Sequence, residues 1–332
     1  MSRLSDTLHG GPVDTSEIER VRDSVIFEGA DWQRRVVRFV VLLVLASAIA
    51  TYGLLSDSVA AVIGAMIVAP LMGPIVGLAF AISIGDRKSI LTSTAMVALG
   101  ICLAILVGLF LVIPFRFANP EANAQIMART APRLVDLLAA LATGLAGAFA
   151  VSRSDVSDTL PGVAIAISLV PPLANVGLLL GLGRPELARG SALLFATNFL
   201  AIVLTGAFMF GIMGFPKAVL GSESKKARLT AIAVVGVLSV AIIAPLTLGS
   251  VRVIAQTVSE RNATDAANAW VEGSGYQVDG VRSADGTVTV TVVGRGKIPP
   301  IASLREDVAG KLAGKALVVR AVPLTVYTVT TP

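Results

Sequence analysis

Long apolar stretches, separated by short polar segments, fill most of the first 250 residues. Most of these stretches are long enough for a helix to cross the hydrocarbon core of a bilayer, which takes about 20 apolar residues. The pattern predicts seven membrane-spanning helices at 36–53, 58–84, 89–113, 133–150, 159–182, 190–213 and 229–250. The stretch 133–150 is the weakest of the seven, because it is short, carries Asp136 and is rich in glycine and alanine.

The hydrophobic pattern changes at about residue 251. Two runs rich in valine and threonine, 276–283 and 287–294, flank Ser-Ala-Asp-Gly, a sequence typical of a hairpin turn. Helical patterns at 251–271 and 301–313 and a third strand at 316–328 complete a small α-β-β-α-β domain. The predicted organisation is a polar N-terminal segment (1–35), a transmembrane core (36–250) and a C-terminal soluble α/β domain (251–332).

Composition restricts the chemistry that the chain can perform. Hydrophobic residues make up 55% and charged residues 15%, whereas an average soluble domain has about 25% charged residues; a soluble enzyme is excluded. One cysteine, Cys102, and one histidine, His9, exclude a His/Cys metal site and a Ser-His-Asp or Cys-His catalytic site within one chain. We therefore expect no enzymatic activity and no cofactor.

The net charge of +5 is spread along the chain. This distribution indicates positive loops facing anionic lipid rather than binding of nucleic acid. With seven spans, lysine and arginine in the loops weakly favour a cytoplasmic N-terminus and an outer C-terminal domain, in a multi-pass protein of the inner (cytoplasmic) membrane. If 133–150 does not span, the C-terminal domain lies on the other side.

The second and fifth predicted spans resemble each other. When Ala61–Ser89 is set against Gly162–Ser191, Pro70 matches Pro171 and Pro74 matches Asn175. The segments 36–113 and 133–213 would then be two three-helix repeats, with 229–250 as an extra span. Because three helices separate matching positions, the repeats would be inverted across the membrane. Chance matching of small apolar residues is the alternative.

Proline inside a helix removes a backbone hydrogen bond and clashes with the preceding turn. In lipid the freed carbonyls need another partner, so a broken helix must face protein or a watery cavity. Two proline-broken spans at matching places indicate a binding site at the membrane midplane, as in transporters. A kinked helix that serves only packing is the alternative.

Polar groups within spans are costly and mark functional sites or helix contacts. Asn175 lies one turn after Pro171, so its amide either satisfies a carbonyl freed by the break or lines a path for a solute or ion. Asp136 is either a proton or cation site or an interfacial partner of Arg133. The candidate pathway residues are Pro70, Gly73, Pro74, Asp136, Ser168, Pro171, Pro172, Asn175 and Asn198. Asp57 is predicted to be the N-terminal cap or a first-turn residue of the second span, a structural role.

Three strings are more specific than composition: Ser47–Ser58, Gly64–Ile75 and Pro161–Gly177. In this order they resemble the bacterial "uncharacterised hydrophobic domain" membrane protein family, a domain-of-unknown-function family. The resemblance covers roughly 40–213. It implies a multi-span inner-membrane protein and brings no established substrate.

Two function classes follow from these features. The first is a transporter or channel-like protein for a small solute or ion, with its path between two three-span halves. The second is a membrane-anchored assembly or sensing protein, in which the C-terminal α/β domain binds partners or self-associates. Small-residue helix faces, such as Ala142–Gly147, permit close helix approach within the chain or in a homo-oligomer.

Overall fold

A computed structural model describes residues 13–115, 117–155, 169–218, 229, 232–233, 236–237, 240, 261–284, 287–295, 298–308, 312 and 316–323. The chain folds as two compact units, Met1–Leu246 and Thr247–Pro332. The first unit is helical, and the second carries the sheet.

The described helices of the first unit follow the apolar pattern. They are α1 (Thr15–Val25), α2 (Trp32–Leu55), α3 (Val59–Val68), α4 (Met72–Ile84), α5 (Arg87–Leu111), α6 (Ala124–Met127), α7 (Leu134–Ser152), α8 (Val170–Gly181), α9 (Pro185–Met213) and α10 (Phe215–Ala218). Two 3₁₀ turns, Ile113–Phe115 and Pro120–Ala122, lie between α5 and α6.

Four of the described helices, α2, α5, α7 and α9, are long and apolar enough to cross a membrane. The bent pair α3–α4 is a fifth candidate span. The 19 residues of α7 cover all but the first residue of the short stretch 133–150, which was the weakest prediction. The predicted count of seven is not confirmed, because α8 has only 12 residues and most of 229–250 lies outside the described residues.

The bundle has two ends, which we name by the first and last residues of α2. At the Trp32 end lie α1, the α4–α5 turn and the C-terminus of α7, joined by hydrogen bonds from Arg20 and Arg22. At the Leu55 end lie the α2–α3 turn and the linker 113–133, where Asn123 donates to the carbonyl of Leu54. The start of α9 is at the same end, since Ser191 donates to the carbonyl of Arg129.

Local chemistry sets the ends of several helices. The Ser58 hydroxyl accepts from the amide of Ala61 and begins α3, and the Asp86 carboxylate accepts from the amide of Lys88 and begins α5. Gly85, with a φ of 74°, ends α4 in the left-handed conformation that glycine adopts without strain.

The predicted N-terminal cap at Asp57 is wrong. Ser58 caps α3, while Asp57 adopts a φ of 54°. The Asp57 carboxylate instead accepts a hydrogen bond from the amide of Gln125 at 2.8 Å. This hydrogen bond connects the linker to the α2–α3 turn. Sequence proximity to the helix suggested the cap, but only the folded linker supplies the Gln125 amide.

The second unit contains a three-stranded sheet in the order β1-β2-β3. The predicted hairpin is present: β1 (Tyr276–Ala284) pairs antiparallel with β2 (Thr287–Gly294). β3 (Ala316–Pro323) pairs parallel with β2. A helical run at 261–271 and α11 (Ile301–Asp307) cover one face. The helix predicted over 301–313 is therefore shorter than expected.

The core of this unit forms between its helices and its sheet. Trp270 packs with the inward-facing valines of β2 and with Leu304. Its indole Nε1 donates to the carbonyl of Pro300 at 3.0 Å, which satisfies the buried polar group of the ring. The alternating burial along β2 is the period expected of a strand with one covered face.

Candidate functional site at the helix breaks

The second predicted span is broken at Pro70. Helix α3 ends at Val68, α4 begins at Met72, and the two helices are bent by 50°. Pro70 has no amide hydrogen, so the carbonyl of Met66 loses the partner that a continuous helix would give it. Pro74 makes no second break, because it lies in the first turn of α4, where the amide it lacks has no helical partner.

The break lies at mid-depth in the bundle. A Cβ atom on Gly100 would stand 2.5 Å from Leu71 Cδ1, 3.3 Å from the Phe39 ring and 3.5 Å from Leu43 Cδ2. Gly100 is near the middle of α5 (Arg87–Leu111), and Leu43 is near the middle of α2. The chain at Leu71 is therefore about equally far from both ends of these spans.

Helix α8 begins at a similar depth. Pro171 and Pro172 lie in its first turn and are buried. A Cβ on Gly108 would overlap the carbonyl oxygen of Ala174, and a Cβ on Gly177 would overlap that of Ile105. These contacts align α8 with the second half of α5, so the first residue of α8, one turn before Ala174, lies near the middle of α5.

The structure brings five of the predicted pathway residues to the break and to the first turns of α4 and α8. Pro70 lies in the break, Gly73 and Pro74 lie in the first turn of α4, and Pro171 and Pro172 lie in the first turn of α8. We call α4 and α8 the half-helices, because each is too short to cross a bilayer. Helix α8 also contacts α3, the other half of the broken span. Ser168 lies outside the described residues.

Asn175 links α8 to the Leu55 end of the bundle. Its amide Nδ2 donates to the carbonyl of Ile126 at 3.1 Å and to the hydroxyl of Ser191 at 2.9 Å. The Ser191 hydroxyl in turn donates to the carbonyl of Arg129 at 2.8 Å. The alternative in which the Asn175 amide satisfies a carbonyl freed by the proline break is wrong, because the partner carbonyl belongs to the linker.

Removal of this amide should destabilise the bundle. We expect Asn175→Ala to lower the free energy of unfolding by about 1–2 kcal/mol, because two buried hydrogen bonds between α8, the linker and α9 are lost. Thermal unfolding of the detergent-solubilised protein measures the effect. The exposed Asn119, replaced by alanine, is the control; equal midpoints for both variants would contradict the assigned role of Asn175.

Comparison with known proteins finds a family model that matches part of the helical unit. Residues 66–204 match the model of the family described as "Domain of unknown function (DUF389)". The matched family is DUF389. An uncharacterized protein of Methanocaldococcus jannaschii is 36% identical over 177 residues, which are 52% of this chain and 53% of that protein. The match thus spans about half the length of this curated relative. No solved structure matches the chain.

The resemblance predicted from the three motifs is confirmed by this match. The DUF389 match includes Pro70, α4, α5, α7, α8 and most of α9. Both half-helix starts therefore lie inside it, whereas α1 and the C-terminal sheet lie outside.

The two remaining candidate residues, Asp136 and Asn198, lie on α7 and α9 and not at the starts of α4 and α8. Asp136 lies at the Leu55 end, where Arg133 donates to both of its carboxylate oxygens at 3.0 and 3.1 Å. This is the interfacial ion pair that the sequence offered as an alternative to a proton or cation site. Asn198 is buried near the middle of α9.

Sequence reasoning missed the buried serine of α2. Ser47 is 0% exposed, and its hydroxyl has no hydrogen-bond partner within the described residues. Thr51, Thr143 and Thr197 each donate to the carbonyl four residues earlier in their own helix, but Ser47 does not. A polar residue in the first predicted span was the available signal.

The N-terminal helix α1, outside the DUF389 match, packs against α4 at the Trp32 end of the bundle. Its buried residues Val21 and Val25 face the bundle, and a Cβ on Gly77 would stand 2.7 Å from the carbonyl oxygen of Val25. Arg22 donates to the Asp86 carboxylate at 2.8 Å. Partial burial acts to raise the pKa of Asp86, but the hydrogen bond from the Ser89 hydroxyl and the charge of Arg22 lower it on balance.

This pKa shift predicts an acid-sensitive attachment of α1. A carboxyl whose pKa is lowered on folding stabilises the fold above its unfolded value of about 3.9, and the stabilisation is lost as pH falls through the lower folded value. We expect the unfolding midpoint to be insensitive to this group near neutral pH and to drop below about pH 4. Asp86→Asn should remove that part of the pH dependence; an unchanged acid profile in the variant would contradict the assignment.

Proposed function

We propose that this chain is an integral membrane protein that moves a small solute or ion along a path between two three-helix halves. The observation that carries the proposal is the placement of the Pro70 break at mid-depth, level with the start of α8 at Pro171 and Pro172. Irregular backbone at that depth is tolerated where protein or a water-filled cavity satisfies it. Broken helices in both halves of a bundle are the arrangement that transporters use for binding sites.

The contacts between helices support an inverted repeat, which we include in the proposal. The first half consists of α2, α3–α4 and α5, and the second of α7, α8 and α9. Helix α4 packs against α5 of its own half and α9 of the other, and α8 packs against α9 of its own half and α5 of the other. Exchanging the halves preserves this pattern, as a two-fold axis in the membrane plane requires.

We place the N-terminus on the cytoplasmic side of a multi-pass inner-membrane protein. Basic residues at the Trp32 end support this orientation, because cytoplasmic loops carry an excess of lysine and arginine. They are Arg20, Arg22, Arg34, Arg35, Arg38, Arg87, Lys88 and Arg153. Reporter fusions to the N-terminus test the orientation.

Reconstitution of the full-length protein in lipid vesicles tests transport. We expect flux of at least one member of a panel of ions and small polar solutes to exceed that of empty vesicles. Gly73 lies in the first turn of α4, and nothing lies within 4 Å of a Cβ placed on it. The leucine side chain of Gly73→Leu should partly fill the open space beside the first turn of α4. We therefore expect this variant to reduce flux without disturbing the fold.

Gly211 of α9 is the matched control, because a Cβ on it also has no neighbour within 4 Å. It lies near the C-terminus of α9, far along the chain from either half-helix start. Gly211→Leu should therefore leave flux unchanged. A folded protein that conducts none of the panel, or that tolerates leucine equally at both glycines, would count against the proposal.

A second function, partner binding by the C-terminal unit, is favoured by one observation. β3 is at the edge of the described sheet, and its side chains Val318 and Val322 are 45% and 41% exposed. An edge strand with exposed apolar side chains is suited to pairing with another strand, in a partner or a second copy of the chain. In this case the helices anchor the unit to the membrane.

A further inference from the structure

The two half-helices that start at mid-depth both present their amino ends to the interior. The residue before α4 is Leu71 and the residue before α8 is Leu169, and neither helix has a side-chain cap. A leucine side chain cannot accept a hydrogen bond, and Pro74, Pro171 and Pro172 carry no amide hydrogen. The first-turn amides that remain, those of Met72 and Gly73 in α4 and of Val170 in α8, are left for another acceptor. The helices have 13 and 12 residues, so each carries a macrodipole with partial positive charge at this end.

The two helices point in opposite directions from the middle of the bundle. Helix α4 leads from Leu71 to the α4–α5 turn at the Trp32 end, while α8 leads from Val170 toward the Leu55 end. Their positive ends therefore both face mid-depth. Both ends are buried, since Leu71 and Val170 are each 1% exposed. Electrostatic attraction is stronger in such a low-dielectric setting than in water.

The break also contains a helix carboxyl end, which carries partial negative charge. The carboxyl end of α3 also lies at the break, but its last residues, Ile67 and Val68, are exposed on the bundle surface. The helices α3, α4 and α8 contain no Asp, Glu, Lys or Arg. A cation held among the buried amino ends would thus meet positive dipoles and no carboxylate from these three helices.

Ser47 gives an independent indication of a ligand. Helices α2 and α3 are joined by a short turn and pack side by side, so they run antiparallel. A Cβ on Gly53 would stand 3.0 Å from the Val62 amide. Ser47, further from the turn on α2, therefore lies level with the end of α3 at the break. Leu43, one turn earlier on the same buried face, lies beside Leu71. The Ser47 hydroxyl is fully buried, makes no bond to its own helix and has no partner in the described structure. It is a buried hydrogen-bond donor at the depth of the break.

We infer that the site at the helix breaks binds a small anion, held by the amino ends of α4 and α8 and by the hydroxyl of Ser47. Backbone amides and a hydroxyl are all donors, and helix amino ends favour negative charge. The inference rests on the proposed transport function and assigns its substrate class.

The experiment measures flux by class of solute in vesicles that contain the full-length protein. Chloride efflux, followed with a chloride electrode after valinomycin releases potassium, reports anions, and nitrate is tested in the same way. Potassium efflux with a protonophore reports cations, and glycerol-driven swelling reports neutral solutes. We expect chloride or nitrate flux above that of empty vesicles, and potassium and glycerol flux equal to it.

The Ser47→Ala variant should reduce the anion flux by roughly tenfold or more, since tenfold is the lower limit expected for loss of one hydrogen bond to a charged group. Ser152→Ala is the matched control, because Ser152 is also buried but its hydroxyl donates to the Ala148 carbonyl of its own helix. Both variants are checked for an unchanged unfolding midpoint.

The outcomes separate the two proposals. Flux of potassium or glycerol without selectivity for anions would overturn the anion assignment and leave transport standing. Anion flux that Ser47→Ala does not reduce would overturn the site as assigned. A folded protein that passes none of the three classes would overturn transport, and the anion assignment with it.

Discussion

Gly177→Ala is expected to prevent the close packing of α8 against α5. The added Cβ would overlap the carbonyl oxygen of Ile105 and stand 2.7 Å from the amide of Leu109. Both atoms belong to the backbone of a long helix, so neither can move aside as a flexible side chain would. Overpacking of this kind costs about 1–3 kcal/mol and sometimes more, and we expect the upper end of this range.

The effect is measured as a fall in the thermal unfolding midpoint and in the yield of monodisperse protein in detergent. Gly211→Ala provides the comparison, because the same methyl group meets nothing within 4 Å there. Alanine favours a helix over glycine by about 1 kcal/mol, so the control should be neutral or stabilising. Similar midpoints for the two variants would show that α8 does not pack on α5 as described.

Trp270→Ala is expected to unfold the C-terminal unit. Trp270 is 7% exposed, packs with Val288, Val290 and Leu304, and donates to the Pro300 carbonyl. Truncation of a buried tryptophan costs about 3–5 kcal/mol, which is a large part of the stability of a small domain. Loss of the protease resistance of residues 261–323, with an intact helical unit, is the expected measurement.

The same variant distinguishes the two function classes. If the helical unit transports, flux in vesicles should survive Trp270→Ala; if the C-terminal unit binds partners, partner binding and cellular function should be lost together. Val318→Ala is the control within the same sheet, because Val318 is exposed and its truncation opens no cavity. Equal loss of protease resistance in both variants would contradict the assigned core.

Much of the helical architecture could be predicted from the chain itself. Uninterrupted apolar runs produced α2, α5, α7 and α9, because a helix is the way a lone apolar segment satisfies its own backbone in lipid. The break at Pro70 followed from the missing amide of proline. The hairpin of β1 and β2 followed from strand alternation on either side of a turn sequence.

Two errors share one cause, which is that they concern partners distant in the sequence. Asp57 was assigned to the helix next to it, yet its partner is the amide of Gln125. The amide of Asn175 was assigned to a nearby break, yet it reaches Ile126 and Ser191. Local patterns cannot indicate which distant group a side chain will meet.

The sequence by itself determined which segments are helices or strands, because periodicity, proline and turn chemistry act over a few residues. The tertiary structure alone decided that the positive ends of α4 and α8 face the middle of the bundle, and that the Ser47 hydroxyl is buried level with the break. These features depend on close backbone contacts at glycines such as Gly100, Gly108 and Gly177. Such contacts arise only when helices far apart in the chain pack together, since each requires a gap on one helix and a matching backbone or side chain on another.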